Sequence, residues 1–368
     1  MDTRITKLAD VIINYSTAVQ PGERVLIRAL SPAAEPLVAA LYQATLRAGG
    51  QAFTYVHISD EDSLAIEATD DSDLLAMPNP MLQMMYETSD VIIRIGASEN
   101  PLALSSYPQA GQNARSAAFG ADIAIQMRRE GEGSLRRCST QFPTQGYAQA
   151  AEMSLQQYED FFYGACKAHL DDPVAAWRAL GETQARLVDY LRGKAHIHVR
   201  GQHIDLQMSI AGRTFLNAQG QRNMPDGEIF TGPVEDSVNG WVQFTYPALY
   251  RGNEVTGARL TFRDGLVTDA TARKGAEFLN SVLDTDPGAR RLGEFAIGTN
   301  ADIQRFTGSI LFDEKIGGTV HMAVGQGYPE TNSQNTSSVH WDMICDMRDG
   351  GEILVDGELF YKDGEFKV

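Results

Sequence analysis

A histidine and an aspartate stand two residues apart near the end of this 368-residue chain. They are His340 and Asp342, and the apolar residues Val339, Trp341 and Met343 alternate with them. Because side chains at i and i+2 of a β-strand point to the same side, the pattern predicts a strand with an imidazole and a carboxylate on one face. Two such groups side by side can chelate a divalent metal ion.

Three further residues add possible metal ligands. His321 lies upstream in an apolar stretch, and Glu228 and Glu294 each follow a glycine in a short turn-like motif. With the first pair they supply two imidazoles and three carboxylates, enough for two metal ions that share a bridging group. Plainer interpretations exist, since a strand histidine is commonly a hydrogen-bonded core residue and a turn glutamate commonly faces solvent. Composition and spacing leave both interpretations open.

The first half of the chain has the pattern of an α/β domain. Strands are predicted at residues 24–28, 51–58 and 90–96, with a helix over 36–48 that ends at Gly49-Gly50. The alternation of strand and helix predicts a parallel sheet with helices on its faces, a Rossmann-like domain over residues 1–190. No glycine-rich dinucleotide fingerprint follows these strands, so we expect no nucleotide cofactor.

The second half has a different period. Asp172-Pro173 begins a helix that we expect to link the domains, and beyond it apolar residues alternate with polar ones. Hairpin turns are predicted at the Asp-Gly pairs 264–265, 356–357 and 363–364, and a short helix near 275–283. The fold class is therefore α/β plus α+β, with a mainly antiparallel C-terminal domain over residues 191–368 that carries the metal site.

Composition limits the possible partners. The chain has 31 Lys and Arg against 48 Asp and Glu, a formal charge of −17, which disfavours nucleic acid and anionic membrane surfaces. No apolar run is long enough to span a bilayer, and the N-terminal residues predict an amphipathic helix rather than a leader. The cysteines Cys138, Cys166 and Cys345 form no C-x-x-C pair, which is typical of reduced thiols in a cytoplasmic protein.

Several stretches match a known family in order and spacing. They are residues 222–231, 283–294, 311–315, 321–328 and 338–342, with looser matches at 142–144 and 153–158. In these stretches the chain resembles the thermophilic-type metallo-aminopeptidase family of aminopeptidase T, AmpS and PepS. The resemblance implies a homodimeric, metal-dependent exopeptidase that acts on peptides with a free N-terminus.

The resemblance also implies roles for particular residues. It implies that Glu228, Glu294, His321, His340 and Asp342 hold two divalent ions, zinc first, with cobalt or magnesium as alternatives. Glu294 is expected to bridge the ions.

The same resemblance places Tyr328 beside the metals, where its hydroxyl could donate to an oxyanion or simply pack beneath the site. Glu235 and Asp236 are candidates for pairing with a substrate amine, against a plainer interpretation as solvated loop acids. The segment from Tyr328 to His340 is shorter than in some family members, which leaves the shape of the pocket entrance and the preferred side chain open.

Two alternatives stand beside the peptidase. A related fold serves ring-cleaving dioxygenases, in which His321, His340 and Asp342 would form a facial triad on one iron. Glu228 and Glu294 would then be superfluous, which argues against this alternative. A non-catalytic metal-binding protein is the other, and the intact ligand set argues against it.

Overall fold

The structure is a computed structural model that describes residues 2–368. The α-helices are α1 (Thr3–Val11), α2 (Glu35–Arg47), α3 (Glu61–Ala68), α4 (Ser72–Leu75), α5 (Pro80–Thr88), α6 (Gln109–Ala118), α7 (Gly120–Gly131), α8 (Gln145–Ala150), α9 (Leu155–Ala165), α10 (Pro173–Leu191), α11 (Ala276–Leu283) and α12 (Ile310–Asp313). Short turns of other helical types cover Ile12–Ser16, Pro32–Ala34 and Pro329–Thr331.

The β-strands are β1 (Arg24–Ala29), β2 (Gln51–Val56), β3 (Val91–Gly96), β4 (Arg136–Gln141), β5 (His196–Gly201), β6 (Ile204–Ser209), β7 (Leu216–Ala218), β8 (Asn223–Met224), β9 (Glu228–Thr231), β10 (Asn239–Gln243), β11 (Ala248–Tyr250), β12 (Asn253–Val255), β13 (Arg259–Arg263), β14 (Leu266–Thr271), β15 (Leu292–Gly298), β16 (Thr319–Gly325), β17 (His340–Asp346), β18 (Glu352–Val355), β19 (Glu358–Lys362) and β20 (Glu365–Phe366). This mixture of helices and strands confirms the predicted α/β character.

The chain divides into two compact units. The first contains the residues up to Ala176 and the segment Gly220–Pro225, and the second contains Trp177–Gln219 and Asp226–Val368. The division falls within α10, whose predicted cap is present, because the Ala175 amide donates to Asp172 Oδ1 at 2.9 Å. The domain boundary predicted after residue 190 stays a prediction, since packing alone does not show which segments fold independently.

The first unit contains a parallel sheet in the order β2-β1-β3-β4-β8. The predicted strands and helix are present here, and α2 ends just before Gly49, whose φ of 83° suits a residue without a Cβ. The fifth strand is β8, which pairs with Ser139 and Thr140. The sequence pattern did not predict this return, because a two-residue strand has no detectable period.

The second unit contains two larger antiparallel sheets, in the orders β17-β16-β15-β9-β7 and β14-β13-β10-β6-β5-β18-β19-β20. The three Asp-Gly turns predicted from the sequence connect neighbouring strands of the second of these sheets. In each turn both residues have positive φ, for example 50° at Asp356 and 85° at Gly357, as a type I′ hairpin requires. The prediction of a mainly antiparallel second half is confirmed.

One hydrophobic core joins these two sheets. In strand β16, Val320, Met322 and Val324 point into this core. His321 and Ala323 alternate with them and therefore lie on the opposite face of the sheet. Neighbouring strands β15 and β17 do the same, and the predicted apolar face of β17 is buried, with 2% or less of each side chain exposed at Val339, Trp341 and Met343. The opposite face of this sheet is left for polar groups.

Two smaller sequence expectations are also addressed by the structure. All three cysteines are buried and free of disulfides, as their spacing predicted. Among residues 2–368, no helix combines the length and apolar character needed to cross a membrane.

Candidate metal centre

Four neighbouring strands bring the five predicted ligands together. Glu228 begins β9, Glu294 lies in β15, and His321 lies in β16. His340 and Asp342 lie in β17, two residues apart as predicted. Ligand atoms of Glu228, Glu294 and His321 lie within 4.8 Å of one another, and so do those of Glu294, His340 and Asp342. The solvent-facing interpretation of the two glutamates is wrong, since Glu228 is 6% exposed and Glu294 is 4% exposed.

Small residues leave space above the sheet for these side chains. Ala323 of β16 pairs with Glu294 on one side and with Asp342 on the other. Gly325 of the same strand pairs with His340. Because a methyl group or a hydrogen occupies each intervening position, long polar side chains from the flanking strands can lean toward one another.

A bulge at Gly293 turns Glu294 toward this face. Leu292 lies in the core and pairs with Val324, whereas Glu294, only two residues later, pairs with Ala323 on the opposite face. In a regular strand, residues two apart would share a face, so one extra residue must be inserted between them. Gly293 is that residue, and a Cβ added to it would lie 2.3 Å from the carbonyl oxygens of Gly325 and Gln326.

We expect Gly293→Ala to disturb the centre without touching any ligand. The added methyl group must displace two backbone carbonyls, at a cost of about 1–3 kcal/mol of the free energy of unfolding. Because the bulge orients Glu294, bound metal should fall as well. Chemical denaturation and metal analysis would measure both effects, and Gly131→Ala, where a Cβ meets nothing within 4 Å, is the matched control. Unchanged stability and metal content would contradict this account of the bulge.

Glu294 faces both histidines with different oxygens. His321 Nε2 lies 3.8 Å from Glu294 Oε1, and His340 Nε2 lies 3.3 Å from Glu294 Oε2. His321 Nε2 is also 3.2 Å from Glu228 Oε2, and His340 Nε2 is 3.5 Å from Asp342 Oδ2. A carboxylate between two such groups has the arrangement of a bridging ligand.

The orientation of His340 is fixed by the backbone. Its Nδ1 lies 2.8 Å from the carbonyl oxygen of Gln326, which can only accept, so Nδ1 carries a hydrogen and donates. This hydrogen bond leaves Nε2 as the atom directed at Glu294 and Asp342. A histidine that ligates a metal commonly has its other nitrogen held in this way.

Sequence reasoning missed two members of the cluster, Glu314 and Lys315. Ligand atoms of Glu314, His321 and Asp342 lie within 4.8 Å of one another. Lys315 is fully buried, contacts the Glu314 carboxylate, and places Nζ 3.6 Å from Glu228 Oε1. Both residues belong to the matched stretch 311–315, but an acid next to a lysine has the pattern of a solvated pair, and nothing in the spacing indicates burial.

The two histidines hold protons strongly when no cation is present. Burial would lower the pKa of His321, but hydrogen bonding to Glu294 and the charge of Glu228 outweigh it and raise the pKa to about 9. Burial of His340 is outweighed in the same way, chiefly by Asp342 and Glu294, and its pKa rises to about 10. Both imidazoles are therefore cationic at neutral pH until a metal displaces their protons.

The carboxylates respond in opposite directions. Burial raises the pKa of Glu228 and of Asp342, against the attraction of Lys315 and His340 respectively. Burial also disfavours the charge on Glu294, yet its hydrogen bonds to His321 and His340 lower the pKa of this carboxyl. Glu294 is thus the ionised centre of the cluster.

We expect metal binding to release protons. Because a metal needs the unprotonated Nε2 of both imidazoles and the ionised carboxylate of Glu228, whose pKa burial raises to about 8, about two to three protons per chain should leave at pH 7 when zinc saturates the protein. The number released should fall by about two as pH rises through 9 to 10, where the free histidines have already lost their protons. Calorimetry in buffers with different ionisation enthalpies measures this number. Zinc uptake at pH 7 without proton release would contradict the protonation of the two histidines.

The structure places Tyr328 beside the cluster but gives Glu235 a different role from the one considered in the sequence analysis. The Tyr328 hydroxyl lies 3.5 Å from His340 Nε2, beside the cluster as predicted, but the residue is 38% exposed and so is not packed beneath it. Burial of the hydroxyl, followed by the charge of Glu294, raises its pKa, so it keeps its proton. The Glu235 carboxylate pairs with Arg213 and accepts from the Gln334 amide at 2.6 Å. Glu235 therefore holds a loop, and the exposed Asp236 is a solvated acid.

The donor set fits divalent cations. Glu228 Oε2, Asp342 Oδ1 and His321 Nδ1 are buried and have no hydrogen-bond partner among the described residues. Buried polar atoms without partners are costly, and carboxylate oxygens left in this way are natural ligands for a cation. Imidazole nitrogen with carboxylate oxygen suits zinc and similar ions.

Known proteins resemble this chain over its whole length. Aminopeptidase 2 of Geobacillus stearothermophilus is 29% identical over 405 residues, which cover 100% of this chain and 94% of the relative. The structure of wild-type AmpT from Thermus thermophilus superposes with a TM-score of 0.86 at 24% identity and covers 99% of each chain. The 2,5-dihydroxypyridine dioxygenase from Pseudomonas putida KT2440 shares the fold at a TM-score of 0.62 and 13% identity, covering 98% of this chain and 96% of the dioxygenase.

The match to a family profile distinguishes the similarity to the aminopeptidases from the similarity to the dioxygenase. Identity of 13% shows a common fold alone, whereas the profile described as thermophilic metalloprotease (M29) matches residues 1–366. A metallopeptidase family implies a divalent metal, in agreement with the cluster of buried acids and histidines. The chain belongs to the thermophilic metalloprotease (M29) family.

Proposed function

We propose that this chain is a metal-dependent aminopeptidase that removes N-terminal residues from peptides. The family and the names of its relatives supply the reaction class. The observation that carries the proposal is the position of Glu294, which faces His321 with one oxygen and His340 with the other. A mononuclear dioxygenase triad of His321, His340 and Asp342 would leave two buried carboxylates in the same cluster without a role.

Charge supports two ions rather than one. The cluster contains the carboxylates of Glu228, Glu294, Glu314 and Asp342 and the ammonium of Lys315, so three net negative charges remain when the histidines are neutral. One divalent cation would leave the buried cluster negative, whereas two would offset it. We assign Glu228, Glu294 and His321 to one ion, and Glu294, His340 and Asp342 to the other. Zinc is the first choice, with cobalt or magnesium as alternatives.

The chain's own residues would orient the reacting groups. Divalent ions in such a site supply an acidified water and a polarised carbonyl. Glu294 fixes the spacing between the two ligand groups, and Lys315 restrains Glu228 and Glu314 through its buried ammonium. The Tyr328 hydroxyl, which remains protonated, would donate a hydrogen bond to the oxyanion that develops when the peptide carbonyl is attacked.

We expect Tyr328→Phe to lower kcat and leave KM nearly unchanged. Loss of one oxyanion donor lowers kcat by about 100-fold in other enzymes, because the bond strengthens only in the transition state. Steady-state kinetics on leucine p-nitroanilide would measure the division between kcat and KM. Tyr42→Phe, on the exposed side of α2, is the control. A change confined to KM would assign Tyr328 to substrate binding instead.

Metal dependence tests the proposed function directly. The purified chain would be freed of metal and assayed on leucine p-nitroanilide, with zinc, cobalt, magnesium or iron(II) restored separately. We expect release of the aniline only after metal is restored, with two ions per chain at full activity. Oxygen uptake on 2,5-dihydroxypyridine with iron(II) would instead favour the dioxygenase, and no activity in either assay would favour a non-catalytic metal-binding protein.

Further proposals concern organisation and location. We propose an N-terminal α/β domain over residues 1–190 and a catalytic domain over 191–368, in a cytoplasmic homodimer. The position of the ligands in the second half of the chain supports the catalytic domain. Three buried cysteines that form no disulfide bond support the cytoplasmic location. Light scattering on the gel-filtration peak would give the mass, and a monomeric peak would contradict the dimer.

A further inference from the structure

The first unit contains a cavity at the carboxyl ends of its parallel strands. Its volume is about 580 Å³, and its lining includes Ser31 just after β1 and Ala97 just after β3. The sheet order β2-β1-β3-β4 changes direction between these two strands, because β1 connects to β2 on one side and β3 lies on the other. In open α/β sheets, ligands bind at this crevice, and the volume is typical of a small-molecule site.

Two arginines face this cavity from neighbouring strands. Arg28 of β1 and Arg94 of β3 are paired in register, and both line the cavity. Arg28 Nε donates to His57 Nε2 at 3.1 Å and Nη1 to the Tyr86 hydroxyl at 3.0 Å, while Arg94 Nε and Nη2 donate to Ser139 Oγ at 3.3 and 3.1 Å.

Among residues 2–368, neither of these arginines is in ion-pair contact with a carboxylate, and Arg28 is only 6% exposed. Burial lowers the pKa of Arg94, and its cationic neighbours Arg137 and Arg28 lower it further against the opposing influence of Tyr86 and, more weakly, of the Glu130 carboxylate. Like charges directly opposite each other destabilise a sheet. The two guanidinium groups, largely buried side by side and without an ion-pair partner in the described part of the chain, are therefore a candidate binding site for an anion.

An acid without a partner lines the same cavity. Asp122 of α7 is 1% exposed, and neither carboxylate oxygen has a hydrogen-bond partner among the described residues. Burial raises the pKa of this carboxyl, and the charge of Arg28 opposes the shift without forming a contact. A buried carboxylate that no donor reaches is costly, so this part of the cavity suits a cationic donor.

We propose that the cavity of the first unit binds a small zwitterion, an amino acid or short peptide with a free carboxylate for Arg28 and Arg94 and a free ammonium for Asp122. A single ligand with both groups satisfies the unpaired cations and the unpaired acid together. A phosphate compound suits the cavity less well, because Asp60 and Glu99, for which no ion pair is seen among residues 2–368, also line it and would repel a dianion. The ring of Phe119 supplies an apolar wall for a side chain.

Calorimetry with matched ligands would test the charge requirement. L-leucine and L-leucyl-L-leucine would be titrated into the full chain carrying Glu294→Gln, so that an amine bound at the metal centre contributes least. We expect saturable binding of one molecule per chain, and the stronger of the two ligands identifies the size class. The N-acetyl and amide derivatives of that ligand should each bind at least 10-fold more weakly. Equal binding of all three forms, or no binding, would overturn the proposal.

Two substitutions assign each charge to its partner. Asp122→Asn should weaken the zwitterion at least 10-fold and leave the N-acetyl form unaffected, whereas Arg94→Gln should weaken the zwitterion and leave the amide form unaffected. Arg24→Gln, at the exposed start of β1, is the control, and circular dichroism would verify that each variant is folded. Binding that survives both substitutions would place the ligand elsewhere. Peptidase activity is assayed separately on the unsubstituted chain, so the two proposals can fail independently.

Discussion

Glu294→Gln should lower kcat/KM by about 1,000-fold or more, the largest effect expected for any single substitution in this chain. Glutamine keeps the size of the side chain but replaces one ligand oxygen with an amide nitrogen that cannot bind a cation. Because the two oxygens of Glu294 face different histidines, the change removes the only carboxylate shared by both proposed ligand groups. Kinetics on leucine p-nitroanilide and zinc analysis per chain are the measurements.

A matched substitution separates this effect from a general loss of acidity. Glu277→Gln makes the same chemical change on the exposed surface of α11, and we expect normal activity and metal content. In Glu294→Gln, zinc should fall from about two ions per chain to about one or fewer. A variant that keeps both ions and most of its activity would refute the bridging role.

Lys315→Met should destabilise the metal-free protein by about 3 kcal/mol, because it breaks a buried ion pair and removes the ammonium that neutralises Glu228 and Glu314. The Lys315 ammonium is fully buried, 3.6 Å from Glu228 Oε1 and in contact with Glu314. Methionine has a similar length and flexibility, so packing is retained. With zinc bound, the cations supply the missing positive charge, and the loss should be smaller. Urea unfolding with and without zinc would measure both values.

An exposed lysine provides the control for this experiment. Lys274 pairs with Glu254 at 3.1 Å, but 65% of its side chain is exposed. Lys274→Met should therefore change the free energy of unfolding by less than about 1 kcal/mol in either state. If Lys315→Met lowers the free energy of unfolding equally with and without zinc, bound cations do not replace the lysine as the positive charge beside these acids.

The sequence predicted the part of the centre that depends on local geometry. His340 and Asp342 share a face because strand alternation is a local property, and Trp341 fills the other face as expected. Glu228 and Glu294 are different, because their burial depends on strands far apart in the sequence. The motifs around them have the composition of surface turns, and only the family resemblance indicated their place.

Glu314 and Lys315 show what sequence patterns could not provide. The burial of a lysine is decided by acids from other strands, which no spacing along the chain reveals. The same limit applies to the first unit, where the strands β1 and β3 were predicted within two residues at each end. Their pairing in register, which brings Arg28 opposite Arg94, appears only in the folded sheet.

The hydrogen-bonded strands that carry the cluster determine which changes the metal centre can accept. Hydrogen-bonded strands are spaced about 4.8 Å apart, so main-chain geometry rather than side-chain packing sets the distances between acids and imidazoles. The scaffold should therefore accept exchange of one ion for another of similar size. A slip of one residue in β16, by contrast, would send His321 into the hydrocarbon interior and bring Met322 to the surface of the centre. The chain can therefore bind metal at this centre only after β16 has paired with its neighbours in the correct register.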